Sequence, residues 1–399
     1  MKPVIYLDNN ATTRVDPAVF EAMRPFFSER YGNPSSMHAF GGAVAADLRR
    51  ARETVARLIG ASPEEIVFTS GGTESNNTAI HAAIEAFPGR RHLVTSRVEH
   101  PAVKNVYERL ARKGYRVTFV PVDGRGRLDR ELLLGQLGPD TALVSLMWAN
   151  NETGVIFPIE ELAPLVRSRG ILFHTDAVQA VGKIPVDVER AGVDFLSLSG
   201  HKIHGPKGVG VLYVRRGTSF APLIVGGHQE RGRRAGTENT AAIVGLGRAA
   251  ELAREELASG AYEGVRRLRD RLEQGIRERI PNVLVNGDPA ARLPNTLNVS
   301  FEYVEGEAIL LMLNEHGICA SSGSACTSGS LEPSHVLRAM GVPFTAAHGS
   351  IRFSLSRFTT AQEIERVLEV LPPIIARLRE LSPFWKQEAP ACSREFHPV

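Results

Sequence analysis

Two polar residues, Asp176 and Lys202, each follow a short run of apolar side chains. The runs at 171–173 and 195–198 are predicted to be strands of an α/β protein, in which functional residues lie beyond the carboxyl ends of the strands. A lysine amine can form a Schiff base with an aldehyde, and a buried carboxylate can keep a pyridine nitrogen protonated. An acid and an amine placed in this way suit pyridoxal phosphate, whose ring then accepts electrons.

A phosphate-binding segment is expected upstream, and residues 66–80 have the sequence of one. After an apolar, β-branched run, Gly71 and Gly72 permit a tight backbone turn. Thr73 then opens a helical pattern whose first N–H groups can bind a phosphate dianion. An ordinary strand-to-helix loop with a threonine cap would have the same local sequence. The acid and the lysine described above favour the phosphate-binding interpretation.

Strand-like and helical stretches alternate along the amino-terminal part of the chain. This alternation predicts an α/β fold with a mostly parallel central sheet and helices on both faces. An Arg- and Glu-rich segment at 241–279 is predicted to be a long exposed helix that leads into a smaller α+β domain. The predicted strands are 66–69, 92–96, 116–120, 142–147, 171–174, 194–198 and 209–214, then 297–304 and 351–355, and the predicted helices include 74–86, 101–113, 159–169, 305–316 and 360–380.

The composition is that of an ordinary globular protein. The chain has 399 residues, a formal net charge of +3 and three cysteines. The length is sufficient for two domains, and so small a net charge gives no reason to expect nucleic-acid binding. An odd number of cysteines does not suggest a disulfide framework. Without an apolar leader or an apolar stretch long enough to cross a bilayer, the sequence predicts a cytoplasmic protein with no membrane partner.

A second reactive group is Cys326, which lies in the segment 321–330. Eight of these ten residues are Ser, Thr or Gly, so little side-chain burial is available to fix the segment and a mobile loop is predicted. A cysteine on such a loop can react at one position and deliver its cargo at another. Cys319 ends an apolar stretch and is predicted to be a small buried thiol, whereas Cys392 lies in a tail without periodicity.

Other residues are open to more than one interpretation. His100, at a predicted strand-to-helix junction, is either a hydrogen-bonded loop histidine or an active-site group. Arg352, in the predicted strand 351–355, is either an exposed strand charge or a carboxylate-binding group.

Two apparent motifs do not support another chemistry. The stretch from Gly200 to Lys207 departs from a P-loop, because Pro206 occupies the position of the phosphate-binding lysine. His201 and His204 lack the helical i, i+4 spacing of metal ligands, so no catalytic metal is predicted.

Nine blocks of sequence follow one another in this order: YLDNNATT (6–13), GNPSS (32–36), FTSGGTESNN (68–77), VEHPAV (98–103), WANNETG (148–154), HTDAVQAVGK (174–183), SGHKIHGPKGVG (199–210), RAGTEN (234–239) and SSGSACTSGSLEPSHVLRA (321–339). Together they resemble the cysteine desulfurases, pyridoxal-phosphate enzymes of the aminotransferase class V group with the fold-type-I architecture. The likeness extends from residue 4 to about residue 385. The segments 228–239 and 346–357 are most similar to the nitrogen-fixation branch.

The resemblance implies removal of sulfur from L-cysteine, giving L-alanine and a persulfide on Cys326. The persulfide would pass to an iron–sulfur assembly scaffold or another acceptor, in a role related to nitrogenase, and Cys326 could touch an iron–sulfur cluster during the transfer. Lys202 would carry the cofactor and remove the Cα proton, and His100 would stack on the ring and shuttle protons. The implied cofactor-binding residues are Gly72, Thr73, His100, Asn151, Asp176, Gln179, Ser199, His201, Lys202 and Thr237, and the implied substrate-binding residues are Asn151 and Arg352.

The resemblance also implies an assembly and a division into domains. Thr237 matches a residue that reaches the phosphate of the neighbouring subunit, which implies a homodimer. The expected large, cofactor-binding domain is 15–255. The expected small domain combines 1–14 with 256–385, and 386–399 is an expected tail.

Three other functions remain possible on the sequence. A selenocysteine lyase or another class V transferase would keep the cofactor residues but depend less on a mobile cysteine. A dinucleotide-binding oxidoreductase would need a G-x-G-x-x-G turn, which residues 71–73 do not provide. A non-catalytic scaffold with the same fold would be expected to lose Lys202 or Asp176, and both are present.

Overall fold

The computed structural model describes residues 4–322 and 332–385. Its strands are β1 Ile5–Tyr6, β2 Ile66–Thr69, β3 His92–Ser96, β4 Arg116–Val120, β5 Thr141–Met147, β6 Leu172–Asp176, β7 Phe195–Ser199, β8 Gly210–Val214, β9 Val283–Asn286, β10 Thr296–Phe301, β11 Ile318–Cys319 and β12 Ser350–Ser354. Its α-helices are α1 Pro17–Met23, α2 Pro25–Ser28, α3 Ala39–Leu58, α4 Gly72–Ala86, α5 Pro101–Arg112, α6 Arg130–Gly135, α7 Ile159–Arg167, α8 Val188–Ala191, α9 Thr240–Ser259, α10 Ala261–Arg279, α11 Gly306–Glu315, α12 His335–Ala339, α13 Phe344–His348 and α14 Ala361–Leu381. Short 3-10 helices lie at Pro63–Glu65, Gly200–Lys202 and Gln229–Gly232.

The largest sheet has seven strands in the order β2-β8-β7-β6-β5-β3-β4. The five strands from β7 to β4 in that order run parallel, whereas β8 is antiparallel to both β2 and β7. The seven strands predicted for this sheet are confirmed to within two residues at each end. The predicted α/β class with a mostly parallel sheet is therefore confirmed.

Alternate residues of each strand face opposite layers of helices. On β8, Leu212 belongs to a core that includes Ile80 of α4 and Tyr107 of α5. Tyr213 belongs to a second core that includes Leu48 of α3 and residues of α7 and α9. Both faces of the sheet are thus buried, as expected for strands joined by helical crossovers.

A smaller unit follows α9. Its three-stranded antiparallel sheet, in the order β12-β10-β9, packs with α10, α11 and α14 around a third core that includes Leu272, Phe301, Phe353 and Leu368. The helix α14 begins with a capping box at Thr360, which satisfies N–H groups that the helix itself cannot. The short parallel pair β1 and β11 brings the amino-terminal strand to this unit. Within the described residues, no helix has the length and apolar composition needed to span a bilayer.

The segment 241–279 is not one long exposed helix, and that prediction was wrong. Gly260 adopts φ +72° and separates α9 from α10. The helix α9 packs on α3 and buries small residues along one side, among them Gly247 and Ala250. The Arg- and Glu-rich composition reflects the exposed sides of the two helices, whereas small residues mark the buried side of α9.

We predict that Gly247→Ala lowers the free energy of unfolding by about 1–3 kcal/mol, the usual cost of overpacking. A Cβ there would lie 2.7 Å from both Cα and Cβ of Ala51, so backbone would have to move. In the matched control Gly264→Ala, on α10, the new Cβ meets only Arg267 Nη2 at 3.9 Å. The control should gain up to about 1 kcal/mol from helix propensity. Urea unfolding of both variants checks this, and equal stability changes would contradict it.

Candidate active site

A cavity of about 370 Å³ lies where β5, β6 and β7 end. These strands are parallel neighbours, so their carboxyl ends share one edge of the sheet and bring Asp176 near Lys202. The expectation that the acid and the lysine meet at this edge is therefore confirmed. The predicted site residues on its lining are Gly72, Thr73, His100, Asn151, Asp176, Gln179, Ser199, His201, Lys202 and Arg352.

One end of the cavity is the tight turn that starts α4. Gly71 has φ +153°, a backbone conformation that side chains rarely adopt. A Cβ on Gly72 would lie 2.7 Å from Val178 Cγ2, so only glycine fits this approach. The two glycines therefore bring the helix start directly against the cavity.

The same end offers hydrogen-bond donors for an anion. The N–H of Ser75 bonds to Gly71 O at 3.1 Å, and the helical N–H groups before it have no partner within the helix. Ser199 and His201 line this end as well. Burial, helped by Lys202, lowers the pKa of His201 to about 4, so its ring is neutral at neutral pH. A helix start with such neighbours is suited to a phosphate dianion.

Asp176 is held rigidly at the end of β6. Only 6% of the residue is exposed. Its Oδ2 accepts a hydrogen bond from Asn76 Nδ2 at 2.7 Å, and its Oδ1 accepts from the Val178 N–H at 3.1 Å. Both carboxylate oxygens are thus oriented before any ligand binds.

Lys202 ends a 3-10 turn that follows β7. Its Nζ donates to the backbone carbonyl oxygens of Asn10 at 2.6 Å and Ala11 at 2.7 Å. The amino-terminal segment thus passes beside the amine, although it lies far away in the sequence.

His100 caps the amino terminus of α5 and also lines the cavity. Its Nδ1 accepts from the Ala102 N–H at 3.1 Å, so the neutral ring carries its proton on Nε2. Burial lowers the pKa of His100, and the nearby Lys202 and Arg352 lower it further, against the opposing effect of Asp176. His100 is thus a helix cap, and it also lies on the lining of the cavity.

Arg352 is buried on β12, with 4% of the residue exposed, and is not a surface strand charge. Its Nη1 donates to Asn151 O at 3.0 Å, and its Nη2 pairs with Asp8 Oδ1 at 2.8 Å. The guanidinium therefore lies at the cavity with a fixed orientation.

Three buried polar atoms on the cavity lining have no hydrogen-bond partner within the described structure: Asn76 Oδ1, Asn151 Oδ1 and Arg352 Nε. Buried polar groups are rarely left unpaired unless a ligand or water completes them. Two acceptors and a charged donor around one cavity thus fit a ligand that has both hydrogen-bond donors and an anionic group.

Thr237 lies elsewhere and is exposed. Its segment is held against the start of α4, because Arg234 Nε and Nη2 bond to the Glu74 carboxylate at 2.9 and 3.2 Å. Cys326 lies outside the described residues, as do Cys392 and most of the predicted loop. Cys319 is on β11, as its strand-like sequence indicated, but it is half-buried rather than fully buried.

Sequence reasoning missed two residues that organise the site. Asn76 positions Asp176, and Asn10 contacts Lys202. Both occur in blocks that carry the family resemblance, YLDNNATT and FTSGGTESNN. Their polar character at buried positions was the available signal, but their partners lie too far along the chain for spacing to reveal them.

A buried acid, Glu99, lies behind the cavity. Its Oε1 accepts from Ser96 Oγ at 2.6 Å and from the N–H of Met147, a cavity residue, at 3.0 Å. Burial, with a smaller effect from the charge of Asp176, raises the pKa of Glu99 to about 8. The carboxyl is therefore largely protonated at neutral pH, which avoids a second buried negative charge beside Asp176.

Comparison with known proteins identifies the fold and its family. The aminotransferase class-V family model matches residues 5–367. The chain belongs to this family. It is 60% identical over 398 residues to the cysteine desulfurase NifS of Azotobacter vinelandii, with 99% of each chain covered.

Among solved structures, the chain is similar to a NifS-like protein with a TM-score of 0.88 at 42% identity, over 94% of this chain and 100% of the other. It is also similar to SspA in complex with cysteine, with a TM-score of 0.78 at 36% identity, over 90% of this chain and 100% of the other. The predicted resemblance and the fold-type-I architecture are thereby confirmed.

We predict that the wild-type protein loses stability relative to Glu99→Gln as the pH rises through about 8. The folded-state pKa lies above the ordinary value of 4.5. The bound proton therefore stabilises the fold fully at pH values below 4.5. This contribution is lost as the pH rises through the folded-state pKa of Glu99. The amide of Glu99→Gln does not titrate, so the variant has no such loss. Thermal unfolding midpoints between mildly acidic and mildly alkaline pH test this.

The matched control for this comparison is Glu131→Gln, because the Glu131 side chain is 83% exposed on α6. Its midpoints should follow the wild-type pH profile. A constant difference between Glu99→Gln and wild type over the whole pH range would contradict the prediction.

Proposed function

We propose that this protein is a pyridoxal-phosphate-dependent cysteine desulfurase. In the reaction, L-cysteine and the thiol of Cys326 give L-alanine and a Cys326 persulfide. The observation that carries the proposal is the single cavity that joins an anion-binding helix start, an oriented buried carboxylate and a lysine amine. The 60% identity to a cysteine desulfurase over nearly the whole chain supports the same activity.

The residues present fit the proposed cofactor. Gly72, Thr73, Ser199 and His201 would hold its phosphate, Asp176 its ring nitrogen, Gln179 its phenolic oxygen and Lys202 its aldehyde carbon, with His100 and Asn151 beside the ring. When bound, pyridoxal phosphate supplies an electron sink for the pair left on the substrate Cα. Asp176 is prepared for this task because Asn76 and the Val178 N–H fix both of its oxygens.

The substrate would be oriented by Arg352 and Asn151. The L-cysteine carboxylate would bind the guanidinium of Arg352, whose orientation Asn151 O and Asp8 already fix. Asn151 Oδ1, which has no hydrogen-bond partner among the described residues, would accept from a donor of the substrate. SspA, a structural relative, has been solved in complex with cysteine, which supports L-cysteine as the ligand.

Proton and sulfur transfer follow from three side chains. Lys202 would accept the Cα proton, and His100 would move protons through Nε2, because its Nδ1 is occupied by the helix cap. The thiolate of Cys326 would then attack the sulfur of the substrate. A sulfur–sulfur bond would form as the substrate carbon–sulfur bond breaks, Cβ would gain a proton, and Lys202 would return the proton to Cα to give L-alanine. No external reductant is needed for this half of the reaction.

We propose a homodimer in which Thr237 completes the phosphate site of the neighbouring subunit. Thr237 is exposed, and its segment is fixed next to α4 by Arg234. Large apolar side chains are also exposed around the first helices, at Phe20, Phe27 and Tyr31. An exposed apolar region of this kind is typical of a subunit interface.

We further propose that the chain divides into a large domain, 15–255, and a small domain built from 1–14 and 256–385. The separate core around Phe301 and Phe353 supports this division. The persulfide would pass to an iron–sulfur assembly scaffold or another acceptor in the cytoplasm. The likeness to a NifS protein favours a nitrogenase-related role.

We predict that Lys202→Ala reduces desulfurase activity by at least about 10²-fold, because the variant lacks the amine that is proposed to take the Cα proton. The purified variant should lack the visible absorption of a lysine-bound cofactor, yet remain folded by circular dichroism. The control is Lys104→Met, since Lys104 is a partly exposed residue of α5 paired with Glu108. Wild-type absorption and activity in Lys202→Ala would overturn the cofactor assignment.

We predict that Cys326→Ala binds the cofactor and L-cysteine but releases neither alanine nor sulfide. Cys319→Ala and Cys392→Ala are the matched controls and should stay active. Mass spectrometry after limited L-cysteine should place the added sulfur on Cys326. Sulfur on either control residue would refute the nucleophile assignment, and full activity of Cys326→Ala would favour a selenocysteine lyase or another class V transferase.

A further inference from the structure

Lys183 is a buried lysine for which the proposed reaction has no role. It lies in the turn that follows β6, and only 3% of it is exposed. Its Nζ donates to Gln179 Oε1 at 2.7 Å and to Asn10 Oδ1 at 3.3 Å. Both partners are neutral amide oxygens rather than carboxylates, so charge pairing does not explain its burial.

These bonds fix which way the Gln179 amide faces. An amide side chain has an acceptor end and a donor end, and its neighbours decide the orientation. At one end, a charged Lys183 has no acceptor, so it can only act as a donor to Oε1. At the other end Gln179 Nε2 donates to Asn10 O at 2.9 Å, and a carbonyl oxygen can only accept. The amide is therefore held with Oε1 against the lysine, and the second N–H of Nε2 is left for the cavity that Gln179 lines.

The orientation does not depend on the charge of Lys183. Burial lowers the pKa of Lys183 well below its usual value, and the nearby Lys202 and Arg352 lower it further. A neutral amine still has two N–H donors, enough for Gln179 Oε1 and Asn10 Oδ1. Lys183 thus provides donors in a place where a permanent cation would repel Lys202.

We propose that Lys183 is a positioning residue that holds Gln179 with its N–H donor toward the phenolic oxygen of the cofactor. The inference rests on the proposed function and adds a residue to it. An N–H donor at that oxygen would stabilise negative charge on it, and the proton that Lys202 carries when it holds the cofactor would then be lost at a lower pH. Lys183 would therefore tune the pH at which the bound cofactor loses this proton.

The test is a pH titration of the visible absorption of the cofactor-loaded protein. Lys183→Met keeps the length of the side chain and removes its donors, so Gln179 Oε1 loses its partner and the amide is held only by the bond from Nε2 to Asn10 O. We expect the titration midpoint to rise by about half a unit to one unit, a fraction of the effect of a hydrogen bond to a charged group. Cofactor should also be lost faster on dialysis. Lys104→Met, at a partly exposed ion pair on α5, should leave both readouts unchanged.

A double-mutant cycle separates positioning from a direct effect of the lysine. In a Gln179→Leu background, Lys183→Met should no longer move the midpoint. Lys183→Gln, which keeps N–H donors on a shorter side chain, should give an intermediate shift and allows the same cycle if the methionine variant does not fold.

An unchanged midpoint in Lys183→Met, or an equal shift in both backgrounds, would overturn the inference. Failure of the wild-type chain to take up the cofactor would overturn both this inference and the proposed function. Normal uptake with an unshifted Lys183→Met midpoint would overturn this inference alone.

Discussion

The hydrogen bonds of Asn10 hold the two parts of the site together. Its backbone carbonyl oxygen accepts from both Lys202 and Gln179, so the amino-terminal segment is tied to the edge of the large sheet. Its side chain and backbone N–H bond to the small unit as well. The remaining partners of Asn10 are Asn151, Lys183, Asn295, Thr296 and Ser354. Because these partners come from distant parts of the chain, the hydrogen bonds of one asparagine fix the relative positions of the segments that form the cavity.

Burial sets the charge state of the groups around this cavity. Histidines lose their protons on burial, as at His100 and His201, and carboxyls gain them, as at Glu99. Burial likewise raises the pKa of Glu152, in the turn beside Asn151, to about 7. Fewer net charges then remain in a region of low dielectric. The side chains of Asp176 and Arg352 are oriented by hydrogen bonds.

Prediction from the sequence was accurate where local pattern decides structure. Apolar runs located the strands of the large sheet, and two glycines located the turn before α4. The prediction of one long exposed helix at 241–279 was wrong. Most of the Arg and Glu residues of this segment lie on exposed helix sides, whereas the buried side of α9 consists largely of small residues that are less conspicuous in the composition. For Arg352 the sequence left two interpretations open, and its burial on β12 excluded an exposed strand charge.

The sequence by itself determined the class of fold and the chemistry available at the site. Strand periodicity does not depend on distant residues, and Asp176 and Lys202 each follow a predicted strand. Only the tertiary structure decided how these groups are held. The bonds from Asn76 to Asp176, from Lys202 to Asn10 and from Arg352 to Asp8 join residues 100, 192 and 344 positions apart. Such pairs form because a buried polar group must find a partner, and which partner lies within reach is fixed only when the sheets and helices pack.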